Sequence, residues 1–178
     1  MKSFIITLLF LGLTVSSYGQ DKTKKEYEEG IMKIEELPAV VIKRVGADFS
    51  IYIPDNNPDM DIRRLEEKFI AYDIGKDYQG SENYLLIMQT KDGSLSATYD
   101  DKGKLIRVVE NFKDIRLPNE VIYSIYRTYP DWTIVNDKFL YTQEDGDVLK
   151  KQYNLKIKRE KETLRLTVRP NGEILKVR

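Results

Sequence analysis

The sequence predicts an α+β protein, a tandem repeat of two units. Each unit reads as a helix plus a four-stranded antiparallel sheet, with the helices on one face of the sheet. Three observations carry this. A Leu-Pro pair opens an apolar stretch twice, as Glu36-Leu37-Pro38 and again as Arg116-Leu117-Pro118. Apolar blocks then recur in the same order, and each unit closes on a glycine turn, Lys102-Gly103 or Asn171-Gly172.

The elements follow in order. Val40, Val41 and Val45 mark a first short helix that Gly46 ends, and an insertion near residues 54–67 follows. In the second unit, Val121, Ile122, Ile125, Tyr126 and Tyr129 recur at helical spacing, with Pro118 suited to the first turn and Pro130 ending the run. Lys68-Phe69-Ile70 answers Lys138-Phe139-Leu140 as a first strand. Tyr84–Met88 answers Tyr153–Ile157, and Leu95–Tyr99 answers Leu164–Val168. Phe69 to Gly103 spans 34 positions and Phe139 to Gly172 spans 33. Asn-Gly is a strong two-residue hairpin signal. Taking it as the turn pairs Val168 with Leu175 and Leu166 with Val177; the first unit then pairs Tyr99 with Ile106 and Ala97 with Val108. The organisation is residues 1–19, 20–35 (a charged segment), 36–110 (unit one) and 111–178 (unit two).

Those pairings assign the opposite sheet face. In unit two it presents Lys156, Lys158, Arg165, Arg169 and Lys176, with Asn154, Thr167 and Arg178; in unit one it presents Leu85, Ile87, Thr98 and Arg107, with Ser94, Ser96 and Val109. A basic stripe on a chain of 29 basic and 29 acidic residues points to an acidic or polyanionic partner. The alternative is a merely solvated strand face. Tyr72, Tyr78, Tyr141 and Tyr153 read as core or cross-strand residues rather than a recognition surface.

The insertion holds a second candidate. Asp55, Asn57, Asp59 and Asp61 alternate, with Glu66 at the twelfth place, as in the oxygen-ligand spacing of an EF-hand calcium loop. Met60 stands where that loop needs glycine, and Pro58 stiffens it. The competing reading is an acidic turn in which Asp61 caps a short helix from Ile62 to Lys68. The cofactor expectation is none, with calcium as the one exception to test.

Composition excludes much chemistry. With no cysteine there is no disulfide, thiolate nucleophile or Cys-ligated metal; with no histidine there is no Ser-His-Asp or imidazole-metal catalysis. Phosphate-binding, dinucleotide-binding and nucleophile-elbow patterns do not occur. The balanced charge speaks against nucleic acid. A hydrolase working through carboxylates alone stays open, because among 29 carboxylates some pair will always be close, but no pair stands out.

Lys2, the apolar run Phe4–Val15 and the small residues Ser17 and Gly19 follow the grammar of a secretory signal cleaved near Gly19/Gln20. The run is shorter than the ~20 residues that span a bilayer. The expected setting is therefore periplasmic or secreted, with no membrane span in the remaining chain.

Arg116-Leu117-Pro118, Tyr129-Pro130 and the closing Val168-Arg169-Pro170-Asn171-Gly172-Glu173-Ile174-Leu175 resemble the PepSY-like domains of periplasmic proteins from Bacteroidota, which are similar in shape to the β-lactamase inhibitory protein. The resemblance covers unit two well and unit one loosely. It implies helix-plus-sheet units and a function of binding or inhibiting a partner protein, and it carries over no catalytic residue. The functional expectation is a non-enzymatic binding module acting through the uncovered sheet face on a protein or acidic envelope component. A structural protein docking into an envelope assembly is the alternative.

Overall fold

A computed structural model of the chain describes residues 40–45, 48–74 and 83–178. The signal peptide, the charged segment, Glu36-Leu37-Pro38, Gly46 and Tyr78 lie outside the described residues. In chain order the elements are β1 (Val41–Val45), β2 (Asp48–Tyr52), α1 (Met60–Ala71), β3 (Tyr84–Gln89), β4 (Gly93–Tyr99), β5 (Leu105–Lys113), α2 (Asn119–Thr128), β6 (Thr133–Glu144), β7 (Asp147–Arg159), β8 (Glu162–Val168) and β9 (Ile174–Val177).

The fold is mostly β. Strands β3 to β9 form one seven-stranded antiparallel sheet in sequence order, and β1 pairs with β2 in a separate hairpin. This overturns the tandem repeat of helix plus four-stranded units. Strand β5 continues through the boundary expected at residue 110 and pairs with β6 from Arg107–Glu144 to Lys113–Lys138. The expected first helix is strand β1, because Val41-Ile42 and Val45 are β-branched and favour an extended chain. The expected strand Lys68-Phe69-Ile70 lies inside α1, so it has no counterpart in Lys138-Phe139-Leu140 of β6.

The first helix falls in the supposed insertion. Asp59 is its N-cap, accepting from the backbone N–H of Asp61 (2.9 Å) and Ile62 (3.4 Å). Asp61 in the first turn and Lys68 in the last suit the helix dipole. Ile62, Leu65, Glu66 and Phe69 recur at i, i+3, i+4, i+7 and are buried. In α2 the expected stripe holds in part: Val121 and Ile125 are buried, whereas Tyr126 is exposed.

Both helices contribute to one hydrophobic core with one face of the sheet, formed by Leu95, Ala97, Val108, Phe112, Phe139, Tyr153, Leu155, Leu166 and Val168 among others. Two pairings hold as expected, Leu166 with Val177 and Ala97 with Val108, although Val177 is exposed. Two partners slip by one residue. Bulges after Thr98 and Thr167 pair Tyr99 with Leu105 rather than Ile106, and Val168 with Ile174 rather than Leu175. Leu105 is consequently buried and Leu175 exposed.

The segment after β1 is laced to the sheet by side chains. Ser50 Oγ accepts from Leu105 N–H (2.7 Å), Tyr141 Oη donates to the Ile53 carbonyl (2.6 Å), and Gln143 bonds both Ile51 O and Ile53 N–H. The turn between β8 and β9 is fixed against α2. Gly172 has φ of +85°, an added Cβ would lie 2.6 Å from Glu120 O, and its own carbonyl accepts from Ser124 Oγ at 2.6 Å. Only glycine meets both demands.

Candidate functional site

Between the bulges of the pair, strand alternation places Lys138 of β6 and Asn154 and Lys156 of β7 on the uncovered face, and pairing assembles them into a patch. Lys156 lies opposite Arg165, Lys138 opposite Asn154, Asn154 opposite Thr167 and Thr167 opposite Lys176. Arg178 joins them through paired backbone bonds with Arg165 (2.8 and 2.9 Å). These side chains border a depression of about 420 Å³ whose lining includes Lys138, Lys156, Arg165, Lys176 and Arg178. None of these five cations makes an ion pair among the described residues. At its centre, Asn154 Oδ1 accepts from Gln152 Nε2 (3.0 Å) and Thr167 Oγ1 (3.2 Å), holding the amide in place.

Of the residues expected from sequence, Lys156, Arg165 and Lys176 thus come together. Lys158 lies farther along β7, opposite Thr163. Arg169 stands past the end of β8, its guanidinium held by Glu173 at 2.7 Å. Lys138 was not anticipated, although the inward Phe139 and Tyr141 on either side of Leu140 fix which way its strand alternates. On the other half of the same face, Leu85 pairs with Thr98, Ile87 with Ser96 and Thr98 with Arg107. Leu85 is 58% and Ile87 52% exposed. This half is apolar and short-chained, and it is separate from the basic patch.

The expected calcium loop is rearranged. Asp59 is spent as the cap of α1, and its second oxygen accepts from Arg116 N–H at 2.7 Å. Asp61 is exposed and pairs with Arg64 at 3.3 Å. Asp55 and Glu66 instead meet Glu110 of β5, a residue the sequence spacing did not suggest, and the three offer oxygens within 4.8 Å of one another. All three are buried. Tyr52 Oη lies 3.1 Å from Glu66 Oε1 and 3.1 Å from Glu110 Oε1, and Asp55 N–H donates to Glu66 Oε1 at 2.8 Å. Asn57 Nδ2 donates to Asp55 Oδ2 at 3.3 Å, and Lys151 Nζ donates to the Asp55 carbonyl at 2.5 Å.

Loss of water around these carboxyls governs their acidity. Burial, augmented by the neighbouring Asp55, pushes Glu66 up to about 8. Burial pushes Asp55 up to about 6 against the opposing pull of Lys151. Glu110 is raised well above its ordinary value by burial and then by Glu66 and Asp55. The Tyr52 hydroxyl is raised for the same reasons, burial first and Glu110 next.

Against known proteins, no family model matches the chain, and no curated protein does either. Solved structures similar in part include two from Bacteroides. One is a DUF2874 family protein from Bacteroides uniformis, 12% identical, with a TM-score of 0.34 over 56% of this chain and 72% of that one. The other is a DUF2874 family protein from Bacteroides ovatus, 14% identical, with a TM-score of 0.35 over 64% and 84%. Neither carries the PepSY-like name. So distant a likeness adds nothing to the functional argument, which rests on the residues themselves. Among the described residues, no helix is long and apolar enough to cross a membrane.

Proposed function

We propose that this chain is an exported, non-enzymatic binding module that takes an acidic protein segment on the basic face of β6 to β9. The observation that carries the reading is the set of five cations, Lys138, Lys156, Arg165, Lys176 and Arg178, gathered on four adjacent strands with no ion-pair partner among the described residues. Lys156 faces Arg165 directly across a strand pair. Like charges so placed repel. An anion laid along the face would relieve that repulsion and gain charge-assisted hydrogen bonds from guanidinium and ammonium groups. The signal-like first 19 residues support export, and the lack of cysteine and histidine supports a role without catalysis.

A fluorescent polyglutamate peptide, titrated with the purified chain at low and moderate salt, tests this. Binding should weaken with salt. The triple variant K156E/R165E/K176E should bind at least about tenfold more weakly, a loss of ~1.4 kcal/mol or more. Equal affinity in the variant, with its circular dichroism unchanged, would sink the basic-face reading.

A further inference from the structure

The cluster of Asp55, Glu66 and Glu110 is independent of the basic face, and its own geometry asks for a ligand. Glu66 and Glu110 are fully buried and Asp55 is 4% exposed. Each keeps one carboxylate oxygen without a hydrogen-bond partner among the described residues: Asp55 Oδ1, Glu66 Oε2 and Glu110 Oε2. Buried polar atoms are nearly always satisfied, and orphaned ones mark a missing partner. Three orphans on three touching carboxyls call for one shared partner.

With the carboxyls ionised, the donors at hand are too few to supply it. Tyr52 Oη has a single proton, yet it stands 3.1 Å from both Glu66 Oε1 and Glu110 Oε1. It can donate to only one of them. Of the cationic side chains among the described residues, Lys151 alone hydrogen-bonds within the cluster, and it reaches the Asp55 backbone carbonyl rather than any carboxylate. Lys151 and the Arg63 guanidinium both act on Asp55, yet three ionised carboxylates still outnumber these cations and leave negative charge uncompensated. Burying such charge is prohibitive unless it is paired or coordinated.

We propose that Asp55, Glu66 and Glu110 together bind one calcium ion in the core, between α1, β5 and the loop that joins β2 to α1. A doubly charged cation offsets the residual negative charge and gives the three carboxylates one shared partner. The donor set is oxygen throughout, which suits a hard cation. Carboxylate oxygens within 4.8 Å of one another fit calcium, whose ligands at 2.3–2.6 Å can stand up to about 5 Å apart. Magnesium, with its shorter bonds, would need the oxygens within about 4.2 Å and would keep several waters. Of the three carboxyls, Asp55 alone borders a cavity of about 330 Å³, together with Asn57, Arg116, Lys151 and Tyr153.

The ligand set differs from the EF-hand-like alternation in the sequence, and that difference supplies the control. Asp61 is exposed and ion-paired, so it takes no part.

The test titrates calcium chloride into the chelator-treated full chain by calorimetry. Terbium luminescence, sensitised by the adjacent Tyr52, is read in parallel. One equivalent of calcium should bind, and the unfolding midpoint should rise by roughly 5–10 °C at a hundred times Kd. Glu110→Gln should lose the terbium signal and the calcium-dependent shift. Removing one buried charge should leave this variant folded without calcium; if it does not fold, Glu66→Gln is read instead. Asp61→Asn should bind calcium as wild type does. Absence of heat, luminescence and midpoint shift at millimolar calcium would overturn the proposal, and the cluster would then hold protons. Loss of binding in Asp61→Asn with retention in Glu110→Gln would equally overturn it. The polyglutamate measurement involves other residues, so either reading can fail without the other.

Discussion

Two groups of like charges sit in this molecule under opposite conditions. On the outer face of β6 to β9, five cations crowd one another in water. Beneath α1, three carboxyls crowd one another in the core. Water screens the first group, so it costs the fold little and leaves the charges free for a partner. The second group has no water to share, so its charge must be removed by protons or offset by a cation. The same repulsion is a binding surface in one place and a stability problem in the other.

The largest effect should come from changing the protonation of the core group. In chelator, the folded-state values of Asp55 (about 6) and Glu66 (about 8) exceed the ordinary 3.8 and 4.5, and Glu110 is raised too. Below about pH 4 both folded and unfolded chains are protonated, and these groups leave stability unchanged. Above about pH 4 the folded chain retains protons that the unfolded chain has lost, so stability falls as pH rises, and the share due to Asp55 and Glu66 is fully lost above about 8. Urea midpoints measured at steps from pH 4.5 to 8.5 should therefore decline, and calcium should flatten the decline. A flat profile in chelator would mean that the carboxyls are not closed to water.

Replacing Tyr52 by Phe comes next. The ring packs edge-on to Phe69, with centroids 4.9 Å apart, and phenylalanine preserves that contact. What goes is the one hydroxyl shared by Glu66 and Glu110. Leaving a buried acceptor without its donor should cost about 1–3 kcal/mol in chelator, read as a drop in urea midpoint at constant slope. A variant as stable as wild type would show that neither carboxyl depends on this bond.

How much of this was legible beforehand differs between the two groups. The basic face depends on period-two alternation and on hairpin turns, both local, and Lys156, Arg165 and Lys176 come out together even though the final hairpin slips by one partner. The slip arises from bulges after Thr98 and Thr167, which no turn dipeptide announces. The core cluster joins a loop, a helix and a strand, so spacing singles out Asp55 and Glu66 but not their meeting with Glu110. One trace was present: Val108, Glu110 and Phe112 alternate in β5, which puts a glutamate on the covered face between two apolar residues. The fold was misread for a related reason. Lys68-Phe69-Ile70 looks like a strand in isolation, yet Asp59 caps a helix that carries those residues with Ile62 and Leu65 into the core.

Asp59 sharpens the comparison at a smaller scale, because it lies beside the core acids and belongs to neither group. It caps α1 and holds Arg116 N–H at 2.7 Å. Asp59→Ala should cost about 0.5–2 kcal/mol, the ordinary value of a lost N-cap, and should leave calcium affinity unchanged. A loss of calcium binding without a loss of stability would return Asp59 to the ligand set.

The smallest effect is expected on the outer face, and its sign matters more than its size. Lys156 and Arg165 are directly opposed across β7 and β8. Like charges so placed destabilise a strand pair, by an amount on the order of 0.2–1 kcal/mol. Lys156→Ala should therefore leave stability unchanged or raise it by roughly 0.2–0.5 kcal/mol at low salt, with the gain vanishing as salt screens the pair. The same variant should bind polyglutamate more weakly. A residue whose removal helps the fold and harms binding is held in place by function, as a partner surface requires. A loss of more than about 1 kcal/mol would give Lys156 a structural role instead, since surface substitutions rarely reach that size.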